Sequence, residues 1–181
     1  GCAVPTPRRL PAARRCRAST CSAPPRSACC RSVTALRVRG RLQGRARAAH
    51  ASIVFIQNDG GEIDPDFPGT PGWELHPELL PVGSEKVYRK TTTDSFHETG
   101  LLEDLRGAGV TDLVIAGMQS NYCIDATTRR AVAEGFNVTL VSDAHSTFSF
   151  TEEPAAAIIQ AQNEALGALV PLATTAEVSF T

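Results

Sequence analysis

Short apolar runs rich in β-branched residues alternate with helical segments from residue 52 onward, and this alternation limits the possible folds more than any other feature. Residues 52–57, 113–116 and 137–141 each predict a buried strand. Helical patterns follow Leu101 and Cys123 and occupy the intervals between the strands. Such alternation predicts an α/β fold, with a parallel sheet covered by helices on both faces.

Polar and reactive side chains stand where the predicted strands end. Asp59 follows the first strand, Lys90 ends the short strand 86–90, Cys123 follows the strand at 113–116, and Asp143 follows the next one. Open parallel sheets bind ligands beyond the carboxyl ends of their strands, so these residues mark the expected site. The printed sequence carries no GxGxxG or P-loop phrase to support nucleotide binding.

Cys123 is the strongest candidate for a reactive group. It lies where an apolar strand breaks at Gly117 and a helix begins. A thiol at a helix N-terminus faces the positive end of the helix dipole and unpaired backbone N–H groups, which favour the thiolate. A lone cysteine is more often a buried structural residue, but the phrases around Cys123 and Lys90 favour a nucleophile.

The first 50 residues differ in composition from the rest of the chain. They contain twelve arginines and no acidic residue, whereas residues 51–181 contain six basic and 19 acidic residues. Most of the segment is Arg, Ala, Pro, Ser, Cys or Gly, which is typical of GC-rich DNA translated out of frame. We therefore predict a basic, low-order segment at 1–50, arising from a frameshift or misassigned start, and a hydrolase domain at 51–181. A transit peptide and a nucleic-acid-binding arm are the alternatives.

Three phrases together resemble the isochorismatase-like cysteine hydrolases, which include isochorismatases, nicotinamidases and N-carbamoylsarcosine amidases. The resemblance covers residues 52 to about 172 and implies a three-layer α/β/α open parallel sheet. The first central strand of that sheet is missing or replaced here, and only residues 33–38 offer a weak substitute. The phrases are Gly-Met-Gln-Ser-Asn-Tyr-Cys-Ile at 117–124, Lys-Thr-Thr-Thr-Asp-Ser-Phe at 90–96 and Val-Ser-Asp-Ala at 141–144.

The resemblance also implies a Cys, Lys, Asp triad in which Cys123 is the nucleophile and Lys90 the adjacent cation. It implies a non-proline cis peptide bond between Met118 and Gln119, and an oxyanion hole formed by the backbone N–H groups of Gln119 and Cys123. The residues expected to line the substrate pocket are Trp73, Phe67 and Phe96.

The aspartate of this triad has no counterpart in the printed sequence. The family carries it on the first strand, and here no acid precedes Asp59, which we interpret as a turn residue rather than a replacement base. General acid–base help is worth about 10² to 10⁴ in rate. We therefore expect a hydrolase of small amides or related C–N substrates that forms a thioester and is impaired by the loss of the aspartate. The alternative is a non-catalytic binding or assembly subunit of the same fold.

We expect a small-molecule substrate, no cofactor and no metal, because His76, His97 and His145 lack the spacing of metal ligands. No stretch is apolar enough over a bilayer's width to suggest a membrane partner, and we expect a cytoplasmic protein. Nucleic-acid binding is not expected, and homo-oligomerisation is left open.

Overall fold

The computed structural model describes residues 3–6, 14–18, 33–149 and 153–180, with side chains from residue 37 onward in the last two ranges. The strands are β1 Ala3–Thr6, β2 Arg14–Ala18, β3 Ser52–Asn58, β4 Lys86–Lys90, β5 Val110–Met118, β6 Asn137–Ser146 and β7 Leu172–Ala173. The helices are α1 Val33–Ala48, α2 Leu101–Gly107, α3 Asp125–Ala133 and α4 Ala155–Gly167. A 3₁₀ turn occupies Pro77–Leu79, and a π-helical turn occupies Ser120–Ile124.

Within the described residues, the seven strands form one sheet in the order β4-β3-β2-β5-β6-β7, with β1 paired to β2. Every pair is parallel except β1 with β2. The predicted α/β fold with a parallel sheet is therefore confirmed. Parallel register brings the carboxyl ends of β3, β4, β5 and β6 to a common edge, with Asn58 opposite Lys90 and Met118 opposite Ser146.

The two faces of the sheet bury different residues of β5. In β5, Leu113 and Ile115 belong to one apolar cluster, whereas Val114 and Ala116 belong to another. This alternation follows from the two-residue period of a strand, which points successive side chains to opposite faces. Helices α2, α3 and α4 and Ala46 of α1 contribute to the first cluster, and Leu42 of α1 belongs to the second. The three layers implied by the resemblance are present.

Strand β2 takes the central place that the sequence left as missing or replaced. It lies between β3 and β5 and pairs in parallel with both, with Cys16 opposite Ser52 and Arg14 opposite Val110. The suggestion that residues 33–38 substitute for this strand is wrong, because they form the first turns of α1.

Helix α1 lies inside the segment set apart by its composition. Val38 and Leu42 are one helical turn apart and face the cluster that contains Val141 and Ala144. This helix was not predicted, and the boundary between a low-order segment and the domain stays a prediction. None of the helices in the described ranges combines the length and apolar character needed to span a bilayer.

Candidate active site

Lys90 and Cys123 meet at the carboxyl edge of the sheet. The ammonium Nζ of Lys90 lies 3.3 Å from the sulfur of Cys123, 2.9 Å from Asn58 Oδ1 and 2.5 Å from the carbonyl oxygen of Thr92. An ammonium has three hydrogens, so each one has an acceptor. Lys90 is only 4% exposed, and its place at the end of β4 opposite Asn58 holds it against the thiol.

The turn that carries Cys123 is built from backbone hydrogen bonds around Gln119. The Met118–Gln119 peptide bond that leads into the turn is cis. The carbonyl oxygen of Gln119 accepts from the backbone N–H groups of Tyr122 at 3.2 Å and Ile124 at 3.1 Å. Cys123 lies between these two donors, and α3 continues directly from the turn at Asp125.

Gly117 lies inside β5, where the register with β6 shifts, one residue before the strand ends at Met118. Its φ is 135°, a conformation that side chains of L-residues rarely adopt and glycine adopts readily. A substitution at this position would strain the backbone three residues before the turn begins at Ser120.

The pKa of the Cys123 thiol is below its ordinary value. Burial acts to raise this pKa, because it disfavours the charged form. The positive charge of Lys90 acts to lower it, as do hydrogen bonds from the Lys90 ammonium and the backbone N–H of Gln119. The balance favours the thiolate, which is the nucleophilic form of cysteine.

The described residues supply no carboxylate to this pair. All three hydrogen bonds of the Lys90 ammonium go to an amide oxygen, a backbone carbonyl and the thiol. Asp59 lies nearby in sequence, but its carboxylate accepts from the indole of Trp73 at 2.7 Å and pairs with Arg89 at 2.8 Å. Asp59 is therefore engaged in bracing the loop after β3.

Trp73 makes further contacts that hold the same loop in place. The Arg89 guanidinium lies 5.1 Å from the centre of the Trp73 ring, and Gln57 donates to the Trp73 carbonyl oxygen at 2.7 Å. These contacts tie the loop to the ends of β3 and β4, beside Lys90. A role for Trp73 in substrate binding stays a prediction.

The two phenylalanines predicted for the pocket lie in different surroundings. Phe67 is 37% exposed on the loop between β3 and β4. Phe96 is 6% exposed, belongs to the larger apolar cluster and stacks on Phe136 with 6.1 Å between ring centres. The structure thus places Phe96 in the core with a core partner, and a role for Phe67 or Phe96 in the substrate pocket stays a prediction.

Sequence reasoning missed Asn58 and a histidine beneath the turn that carries Cys123. Asn58 could have been found, since it is the last residue of β3 and lies at the same sheet edge as Lys90. His145 is 4% exposed and bonds to Ser120 of the turn, a contact between residues 25 positions apart that no local pattern indicates. Among residues 37–149 and 153–180, no group of three or more His, Cys, Asp or Glu side chains could hold a metal ion, and the metal-free, cofactor-free site stays a prediction.

Comparisons with known proteins place the chain beside hydrolases. The isochorismatase domain matches residues 33–177. Two streptothricin hydrolases from Streptomyces noursei are 45% and 47% identical to this chain over 119 and 118 residues, which are 66% and 65% of this chain. The matches cover 47% and 42% of those proteins, so the chain spans less than half their length. The structure of an isochorismatase from Pseudomonas putida superposes with a TM-score of 0.74 at 30% identity, covering 79% of this chain and 76% of that one.

Proposed function

Because this chain belongs to the isochorismatase family, we propose that it is a cysteine-dependent hydrolase of small amides or related C–N compounds. Family membership confirms the resemblance noted from the sequence. The proposed activity is carried by one observation, the 3.3 Å contact between the Lys90 ammonium and the Cys123 sulfur. A purely structural cysteine gains nothing from a buried ammonium, whereas a nucleophilic thiolate is stabilised by one.

In the proposed reaction the Cys123 thiolate attacks the carbonyl carbon of the substrate. A sulfur–carbon bond forms, and the electrons of the C=O π bond move to oxygen. The backbone N–H groups of Gln119 and Cys123 are the proposed donors to that oxyanion. Collapse of the tetrahedral intermediate breaks the C–N bond and leaves a thioester, which water then hydrolyses to the acid and the free thiol.

The described residues provide no carboxylate for the proton transfers that this reaction requires. The leaving nitrogen must gain a proton, and the attacking water must lose one. Without a carboxylate on the pair, these protons pass through Lys90 or through bulk water. Because a positioned acid–base group is typically worth about 10² to 10⁴ in rate, we propose that turnover is slower by that factor than in a chain with an intact triad.

The substrate class follows from the chemistry and from the relatives. A covalent mechanism at sulfur accepts carbonyl compounds with a nitrogen leaving group: primary amides and lactams would give a thioester, and N-carbamoyl compounds would give a thiocarbamate. Streptothricin, the compound for which the two Streptomyces noursei hydrolases are named, is the first compound to assay.

The proposal is tested on a variant in which Cys2, Cys16, Cys21, Cys29 and Cys30 are replaced by serine, so that Cys123 is the one thiol. At pH 6.5, iodoacetamide should alkylate Cys123 about fivefold faster, or more, than an unperturbed thiol, since more thiolate outweighs its lower intrinsic nucleophilicity. Incubation with streptothricin or primary amides should give a covalent adduct by intact-protein mass spectrometry, absent from Cys123→Ala.

An alkylation rate equal to that of free cysteine, with no adduct from any amide, would overturn the proposal. That result would favour the alternative, a non-catalytic binding or assembly subunit of the same fold. A fast-reacting thiol that forms the adduct but turns over the amide slowly would instead support a nucleophile that lacks its base.

A further inference from the structure

A buried chain of hydrogen bonds runs beneath the nucleophile turn. The Nδ1 atom of His145 lies 2.8 Å from the hydroxyl of Ser120, and its Nε2 atom lies 2.9 Å from Oδ1 of Asn163 on α4. Ser120 is fully buried, and His145 is only 4% exposed. His145 lies on β6 opposite Gly117 of β5, so the chain joins β6 and α4 to the turn that carries Cys123.

The direction of every hydrogen bond in this chain follows from the amide of Asn163. Its Nδ2 atom donates to the carbonyl oxygen of Ser142 at 3.2 Å, which leaves Oδ1 as the atom that faces the imidazole. A carbonyl oxygen can only accept, so Nε2 of His145 carries a hydrogen. In the neutral ring Nδ1 is then a bare acceptor, and the Ser120 hydroxyl must donate to it.

Ser120 connects this set of hydrogen bonds to the turn that carries the thiol. It is the first residue of the turn and follows Gln119 directly. Gln119 closes the turn through its carbonyl oxygen, and its backbone N–H acts to lower the pKa of the Cys123 thiol. A backbone shift at Ser120 would therefore displace its neighbour Gln119, whose N–H favours the thiolate.

We propose that His145 is a positioning residue for Cys123, which it serves by holding the Ser120 hydroxyl, and with it the nucleophile turn, through its neutral Nε2–H tautomer. This inference rests on the proposed role of Cys123 as the nucleophile. His145 does not touch the reacting atoms and acts through Ser120 alone.

The surroundings of the ring keep it in that neutral form. Burial lowers the pKa of His145, the hydrogen bond to Asn163 opposes this, and the positive charge of Arg39 lowers the pKa further while Asp143 acts to raise it. Among the described residues, Arg39 on α1 and Asp143 on β6 are the charged groups that act on the ring. Protonation would place a hydrogen on Nδ1 and force the Ser120 hydroxyl to turn from donor to acceptor.

The test is Asn163→Asp in the single-thiol protein. A carboxylate in place of the amide stabilises the imidazolium, and an adjacent opposite charge typically moves a pKa by about one to three units. We expect the His145 ring signals to titrate at higher pH by NMR, with His145→Gln used to assign them. We also expect the alkylation rate of Cys123 to gain an acid limb, with the same midpoint, across which it falls about fivefold to tenfold.

Two further variants separate this route from a direct effect of charge. Gln160→Glu adds the same charge on an exposed part of α4 and should leave the alkylation profile unchanged. Ser120→Ala should slow alkylation about fivefold to tenfold at all pH values, because it removes the hydrogen bond itself. In Ser120→Ala/Asn163→Asp the acid limb should be absent.

Three results would overturn the inference. The first is that the titration midpoint of His145 does not rise in Asn163→Asp. The second is that the midpoint rises but the alkylation profile stays identical to that of the parent protein. In the third, the acid limb would persist in Ser120→Ala/Asn163→Asp, which would mean that charge acts on the thiol directly. Alkylation reports on the sulfur whether or not an amide is turned over, so failure here is distinguishable from failure of the proposed hydrolase activity.

Discussion

Replacing Lys90 by methionine removes the charge beside the thiol while keeping most of the side-chain volume. At the observed 3.3 Å, two unit charges interact by about 5 kcal/mol at an effective dielectric constant of 20. If solvent and neighbouring dipoles relax to recover half of this, about 2.5 kcal/mol of thiolate stabilisation is lost. Since about 1.4 kcal/mol is a factor of ten, the ionised fraction at pH 6.5 falls roughly 70-fold.

The observed rate should fall less than the ionised fraction. A thiolate of higher pKa is intrinsically more nucleophilic, with a Brønsted coefficient of about 0.4 to 0.5, and this recovers nearly one factor of ten. We therefore expect alkylation of Cys123 by iodoacetamide to slow about tenfold at pH 6.5. The difference should shrink as the pH rises towards the range in which an ordinary thiol ionises.

The matched control is Lys86→Met, which removes one positive charge from the same strand. Lys86 pairs with Asp104 at 2.6 Å on the exposed side of the strand and makes no contact with Cys123. Its alkylation profile should match that of the parent protein. If Lys90→Met, with an unchanged circular dichroism spectrum and melting temperature, reacted within twofold of the parent protein, the ammonium would not be what activates this thiol.

Three other outcomes follow from the described contacts. Ile115→Ala removes a fully buried side chain from β5 and should lower the free energy of unfolding by about 2 to 5 kcal/mol in urea titrations, whereas Val87→Ala on the exposed edge strand should cost far less. Because the pKa of His145 is lowered in the folded protein, the unfolded chain binds the proton first as the pH falls below about 6.5, and the free energy of unfolding decreases in acid. Urea midpoints measured from pH 7 to pH 5 should fall less for His145→Gln than for the parent protein. Formate or acetate at high concentration should accelerate amide hydrolysis if a carboxylate base is what the site lacks, while chloride at equal ionic strength should not, and equal responses to both salts would refute a missing base.

The strands and the central pair of site residues were predictable because their signals are local. A β-branched run such as 52–57 specifies a buried strand by its own composition, and the parallel sheet then brings the strand ends together. Lys90 and Cys123 could be placed at one edge on that ground, although they are 33 residues apart. Met118–Gln119 was expected to be cis from the resemblance alone.

Strand β2 and helix α1 could not be predicted, for different reasons. Arg-Arg-Cys-Arg-Ala at 14–18 has no apolar alternation, so only its neighbours β3 and β5 define it as a strand. Val38 and Leu42 of α1 repeat at helical spacing and so indicate a helix, but the arginine-rich composition around them favoured a low-order segment. His145, Ser120 and Asn163 come together only through tertiary packing of β6, α4 and the turn.

The position of α1 changes how the unusual beginning of the chain should be understood. The isochorismatase domain match begins at residue 33, and α1 packs on the same strands that carry the site. The predicted low-order segment at 1–50 therefore overlaps the matched domain over residues 33–50, and its origin in a frameshift or misassigned start stays a prediction. The nucleophile, its ammonium and the His145 chain come from residues 90–163, which lie wholly beyond it. A change confined to the first strand would remove the proposed acid–base group and leave the contact between Lys90 and Cys123 intact, so we expect alkylation and turnover to be affected unequally.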